Sequence, residues 1–132
     1  MGGDKIMIAF GIGCRRGVAK AQVLEIIREA LVRVNLSGEA MALFSVEDKN
    51  DEAGLLAAAA DLQWPLTFLP RAALQAVEAY IVTPSLHAEA ALGLASVSEA
   101  AALAGAGRDA VLVLPRIAGD GVTCAAALGG GQ

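Results

Sequence analysis

Two arginines, a cysteine and three glycines fall within seven residues, GIGCRRG at 11–17. The run follows an apolar stretch and precedes a helical pattern, so it reads as a strand turning into a helix. There the first helix N–H groups point outward, and Gly11, Gly13 and Gly17 let a ligand approach the backbone. Arg15 and Arg16 add planar donors matched to carboxylate or phosphate. This is an anion-binding arrangement. A dinucleotide is disfavoured, because the glycines are one residue too widely spaced for GxGxxG and Glu47 lies beyond the usual ribose-acid interval. The alternative is a plain tight turn with solvated arginines. Beside the turn, the helix N-terminus and both arginines would lower the thiol pKa of Cys14.

A second cluster, SVEDKNDEAGL at 45–55, carries Glu47, Asp48, Lys49, Asp51 and Glu52. It is expected in the loop at the carboxyl end of the second strand, the edge where open α/β sheets bind ligands. These groups can serve as acids, bases or hydrogen-bonding groups, or form a solvated charged loop. The single histidine, His87, is a candidate base within TPSLHAEAALG, and a Cys–His nucleophile requires the fold to bring it to Cys14. Thr123 and glycines 119 and 121 make a further candidate loop. No spacing carries a metal signature, and no cofactor is expected.

The elements that must position these residues follow from periodicity. KIMIAF (5–10) suits a strand buried on both faces, and residues 18–34 repeat apolar positions at helical spacing. AMALFSV (40–46) reads as a second strand, DEAGLLAAAADL (51–62) as a second helix led by Asp51 and Glu52, and LTFL after Pro65 as a third strand. Helices are expected over 70–80 and 83–94, and over 96–107, where Ser96 and Glu99 form a capping box. AVLVLP (110–115) and GVTCAAAL (121–128) read as a hairpin, and the terminal GGGQ as a frayed tail. The expected fold class is α/β: a single three-layer domain, with a mostly parallel sheet, helices on both faces and a C-terminal antiparallel hairpin.

The chain of 132 residues fits one compact domain. Its 29 alanines favour helices packed closely on a sheet. A net charge of −4, with no basic stripe, argues against nucleic acid, and the apolar runs are too short for a membrane span. MGGDKIMIAF lacks the features of a secretory signal, so a cytoplasmic location is expected, with Cys14 and Cys124 as free thiols. A homo-oligomer is left open.

Taken together, GIGCRRG, SVEDKNDEAGL, TPSLHAEAALGLASVSEAAALA and GVTCAAAL, in this order over nearly the whole chain, resemble the CobE proteins and the C-terminal domain of CbiG, both of cobalamin biosynthesis. The resemblance implies a compact α/β domain acting on corrin-ring intermediates. Its longer members resemble hydrolases that open a lactone on cobalt-precorrin-5A and release acetaldehyde, and they carry an additional N-terminal region. This chain resembles the stand-alone CobE type. It departs from the pattern at Glu47, where an aspartate is usual, and in LPRIAG, where Arg116 stands near a position at which many CbiG domains carry lysine.

A precorrin is a partly apolar ring fringed with carboxylates. The implied partner is therefore a precorrin or corrinoid small molecule, with other enzymes of the pathway as protein partners. The expected substrate-binding set is Gly11, Gly13, Cys14, Arg15, Arg16, Lys49, Ser85 and Thr123. The acid–base set, for a hydrolytic activity, is Glu47, Glu52 and His87. The leading expectation is a carrier or accessory factor, and the alternative is a hydrolase.

Overall fold

The computed structural model describes residues 6–35, 40–81 and 96–131. β1 (Met7–Cys14) leads to α1 (Lys20–Val34), then β2 (Ala40–Val46), a 3-10 turn (Glu47–Lys49), α2 (Ala53–Leu62) and β3 (Leu66–Leu69). α3 (Arg71–Gln75) and a second 3-10 turn (Glu78–Tyr80) follow. α4 (Val97–Ala106), β4 (Val111–Ala118) and β5 (Val122–Gly129) complete the described elements. The helix expected over 83–94 lies outside the described residues.

The five strands form one sheet in the order β3-β2-β1-β5-β4. β1 pairs parallel with β2 and β2 with β3, whereas β5 pairs antiparallel with both β1 and β4. The expected three-layer α/β fold is present, but the sheet is mixed where a mostly parallel one was expected. The tight 119–121 connection, with Gly121 at φ +75°, forces β5 to reverse direction. β5 then takes the free edge of β1 and holds β4 away from it, so two ladders are antiparallel although only one strand runs backwards.

Alternation along β1 separates two cores. Ile8, Phe10 and Ile12 pack beneath α1 and α2, together with Val23, Ile27, Leu43, Leu55 and Cys124. Phe10 stacks on Trp64 with ring centroids 5.4 Å apart. On the other face Ala9, Phe44, Ala125 and Ala127 meet α4, whose residues 100–102 are all fully buried alanines. Small side chains let this helix lie close to the sheet: a Cβ on Gly11 would sit 1.9 Å from the Ser98 carbonyl oxygen.

That contact corrects the reading of the first motif. β1 does not stop at Phe10 but runs through GIGC, pairing as far as Cys14 with Val122, so the turn proper begins at Arg15. The second helix begins at Ala53 after a 3-10 turn, and the helix expected over 70–80 is broken after Gln75. The glycines after Leu128 are tied down: Gly131 bridges Gly107, and the Gly130 and Gly131 amides donate to Arg108 and Ala106. The frayed tail expected there is thus ordered through residue 131, because α4 and its following turn supply carbonyl acceptors.

Candidate functional site

The carboxyl ends of β1, β2 and β3 and the β4–β5 turn converge on one edge of the sheet. The loop after β2 is held by two arginines. Arg16 Nη1 donates to Asp51 Oδ1 at 2.7 Å and to Glu52 Oε2 at 3.2 Å, and its Nη2 donates to the Asp48 carbonyl at 3.0 Å. Glu52, only 5% exposed, accepts the Gly17 amide through Oε1 at 3.0 Å. From the far side, Arg71 donates through Nε and Nη2 to the two oxygens of Asp48, and its amide donates to Glu47 Oε2 at 3.2 Å. The β1–α1, β2–α2 and β3–α3 connections are therefore cross-linked by charge-assisted hydrogen bonds.

Arg15 turns the other way. Its amide donates to the Gly121 carbonyl at 2.9 Å, and Nη2 reaches Asp120 Oδ1 at 3.3 Å. Asp120 Oδ2 also accepts from Gln22 Nε2 at 2.8 Å, and Gln22 Oε1 accepts the Ala19 amide at the start of α1. Gly121 allows this path, since a Cβ there would lie 2.5 Å from Arg15 Nε.

The electrostatics follow from these contacts. The Arg16 hydrogen bond holds the Asp51 carboxyl below the ordinary aspartate value, and that from Arg71 does the same for Asp48. Both guanidinium pKa values are raised in return. Cys14 behaves opposite to expectation. Burial pushes its thiol pKa up, Glu52 adds to that, and the opposing pull of Lys49 and Arg16 does not reverse it. β1 extends through Cys14, which places the thiol in the half-buried sheet edge, where desolvation outweighs the nearby cations.

Of the expected substrate-binding residues, Gly13, Cys14, Arg15, Arg16, Lys49 and Thr123 gather at this edge. Thr123 pairs with Gly13 across the β1–β5 ladder, and its Oγ1 donates to the Gly13 carbonyl at 3.4 Å. Gly11 lies deeper, covered by α4. Lys49 is half-buried, close enough to Cys14 to influence its titration, and its ammonium makes no ion pair with the described residues. Of the expected acid–base set, Glu47 and Glu52 share the loop, with Glu47 exposed and Glu52 committed to Gly17 and Arg16. His87 and Ser85 lie outside the described residues. Among the described residues no group of three His, Cys, Asp or Glu side chains converges as a metal site.

Sequence reasoning missed Asp120, Gln22, Arg71 and Glu99. Asp120 sits between the two turn glycines already singled out, so its polarity was a usable signal. Glu99 showed only as half of a capping box. Ser96 Oγ does accept the Glu99 amide, at 3.4 Å, but the fully buried Glu99 carboxylate also crosses to β4, where Oε2 accepts the Arg116 amide at 2.8 Å. This contact falls where the β4 register shifts between Leu114 and Ile117, a break that no local pattern announces.

The family model described as "Cobalamin synthesis G C-terminus" matches residues 8–127. Protein CobE of Sinorhizobium sp is 32% identical over 121 residues, covering 91% of this chain and 79% of that protein. The cobalt-precorrin-5A hydrolase of Priestia megaterium is 31% identical over 123 residues, covering 92% of this chain but only 32% of the hydrolase. The crystal structure of CobE, a protein from the cobalamin (vitamin B12) biosynthetic pathway, superimposes with a TM-score of 0.87 at 35% identity, covering 93% of this chain and 90% of that one. A match spanning both cores and the cross-linked loops places the chain in the cobalamin synthesis G C-terminal family, among the proteins of cobalamin biosynthesis.

Proposed function

We propose that this chain binds a precorrin or corrinoid intermediate at the carboxyl edge of its sheet, as a carrier or accessory factor, and passes it to other enzymes of the pathway. The observation that carries this reading is Lys49, a half-buried lysine without an ion-pair partner among the described residues, in a loop gripped by two arginines, Arg16 and Arg71, that are both paired. A half-buried cation that makes no ion pair among the described residues is suited to an external acid. Arg15 and Arg16 stand in the turn after β1 at the same edge, and their exposed partners Asp120 and Asp51 can give way to ligand carboxylates at small cost. A tetrapyrrole fringed with acetate and propionate groups offers several such carboxylates at once. With the whole chain at −4, long-range steering is weak and close contacts must supply specificity. We read residues 1–132 as one such domain, working in the cytoplasm.

The second reading is a hydrolase, favoured by the kinship with the Priestia megaterium enzyme, of which this chain spans about a third. In it Glu47 or Glu52 acts as general acid or base, with His87 as partner. Incubating purified protein with cobalt-precorrin-5A, and following the visible spectrum and acetaldehyde together, separates the two. A retained, spectrally shifted and chemically unchanged ligand supports the carrier. Acetaldehyde in excess of protein supports the hydrolase. Neither retention nor turnover overturns both.

A further inference from the structure

Four residues of α1 stand at helical spacing on its outer face, Ala21, Glu25, Arg28 and Val32, and all are exposed, Val32 by 75%. The charges of this helix fall into two groups. Lys20 pairs with Asp61 of α2 at 3.2 Å, and Arg33 pairs with Glu29, one turn away, at 2.8 Å. Glu25 and Arg28 make no ion pair among the described residues, and Glu25 has the like charge of Glu29 one turn on. Beside this stripe, between α1 and the β4–β5 turn, lies a groove of about 230 Å³ whose lining includes Ala21, Glu25, Glu29 and Asp120. Carboxylates thus stand on both of its walls.

We propose that this face is an interface between two copies of the chain, with the α1 of a second copy lying antiparallel along it. In a two-fold contact a residue i that meets j implies that j meets i, so all paired positions are centred on one point of the helix. Glu25 with Arg28, and Ala21 with Val32, are both centred midway between Ile26 and Ile27. A single antiparallel register therefore sets Arg28 of the second copy against Glu25, at the acidic groove, and Val32 of the second copy over the small side chain of Ala21. Both contacts repeat across the axis. A large side chain meets a small one and each unpaired charge meets its opposite, which lets two helices pack closely in one register. The stripe spans three turns, about 16 Å, well short of a standard interface, so the dimer is weak and reversible, with a Kd on the order of 100 μM.

The test is sedimentation equilibrium. From about 10 μM to 1 mM the unaltered protein should show a monomer–dimer equilibrium. E25R and R28E each bring like charges together twice, once on either side of the axis, and each alone should raise the dimer Kd by about tenfold or more. Mixed in equal amounts, the two variants should associate about as tightly as the unaltered protein, because each charge then meets its opposite at both contacts. Both variants stay net negative, so general attraction between them does not account for that recovery. Both side chains are exposed and outside the proposed ligand edge, so neither substitution disturbs the core. An unaltered protein that stays monomeric to about 1 mM overturns the proposal. A dimer indifferent to both substitutions overturns it too, as does a loss in the single variants that the mixture fails to recover.

Discussion

Glu52 Oε1 accepts the Gly17 amide at 3.0 Å, so a nearly buried carboxylate from the β2–α2 connection fastens the turn between β1 and α1. Its other oxygen lies 3.2 Å from Arg16 Nη1. The residue that was a candidate acid by its position is thus also the bolt between two loops.

Replacing Glu52 with alanine should therefore reduce stability as well as any activity. The loss expected is about 1 to 3 kcal/mol, from an amide left without its acceptor and a carboxylate hydrogen bond removed. Urea denaturation measures it, and E52Q, which keeps one oxygen, should lose less. An unchanged midpoint for E52A would show that the turn holds without it.

Acid should loosen the same loops. Asp48 and Asp51 have pKa values lowered in the folded state by hydrogen bonds from Arg71 and Arg16, against 3.8 as the ordinary value. A lowered folded value means that the unfolded chain takes up protons first. The stabilisation is complete above the ordinary value and is lost as pH falls through the lowered one. Tm should hold near neutrality and drop below about pH 4, and D48N/D51N should drop less steeply over that range. Equal slopes for the two proteins would remove these pairs from the acid response.

The two thiols should resist alkylation. The thiolate is the reactive form, and burial raises the pKa of Cys14 above its ordinary 9.0. At pH 8 Cys14 should react with iodoacetamide more slowly than free cysteine, and K49A should slow it further, since Lys49 exerts the largest lowering pull on this thiol. Cys124, fully buried with its pKa pushed up, should remain unmodified in the folded protein. Mass spectrometry of timed samples reads both. Reaction of Cys14 faster than free cysteine would contradict the burial argument.

The glycines of GIGCRRG should divide by mechanism. G11A drives a Cβ to within 1.9 Å of the Ser98 carbonyl oxygen and 2.5 Å of the Ala102 amide nitrogen, both backbone atoms of α4. It should cost about 3 kcal/mol or more. Gly17, at φ +79° with nothing within 4 Å of a Cβ, is held by conformation alone, and G17A should cost about 1 to 2 kcal/mol. Denaturant midpoints compare the two, and equal costs would show that α4 can shift away from β1.

Local patterns revealed those elements whose formation is decided locally. β2 was legible at 40–46 because an apolar run ends against a charged loop, and the start of α4 was legible from Ser96. The crowding of charge at the carboxyl ends of the strands was legible too, because alternating strands and helices fix which loops share an edge. What escaped depends on partners far along the chain. Gly11 to Cys14 read as a turn because glycine is a poor strand former, but β5 pairs with that stretch and α4 needs its smallness. Gly13 and Thr123 are 110 positions apart. Arg71 and Asp120 likewise show no role until the loops they bridge are brought together.

The placement of β5 between β1 and β4 also has a consequence for synthesis. β5 emerges from the ribosome last of the five strands, yet it occupies an interior position in the sheet. β1, β2 and β3 can assemble on α1 and α2 beforehand, but one edge of β1 must wait, unpaired and apolar, until Val122–Gly129 has been made. Closing so distant a pairing is slow. The nascent protein is thus most exposed to aggregation just before its final strand arrives, and cutting the chain within β5 would leave that edge permanently open.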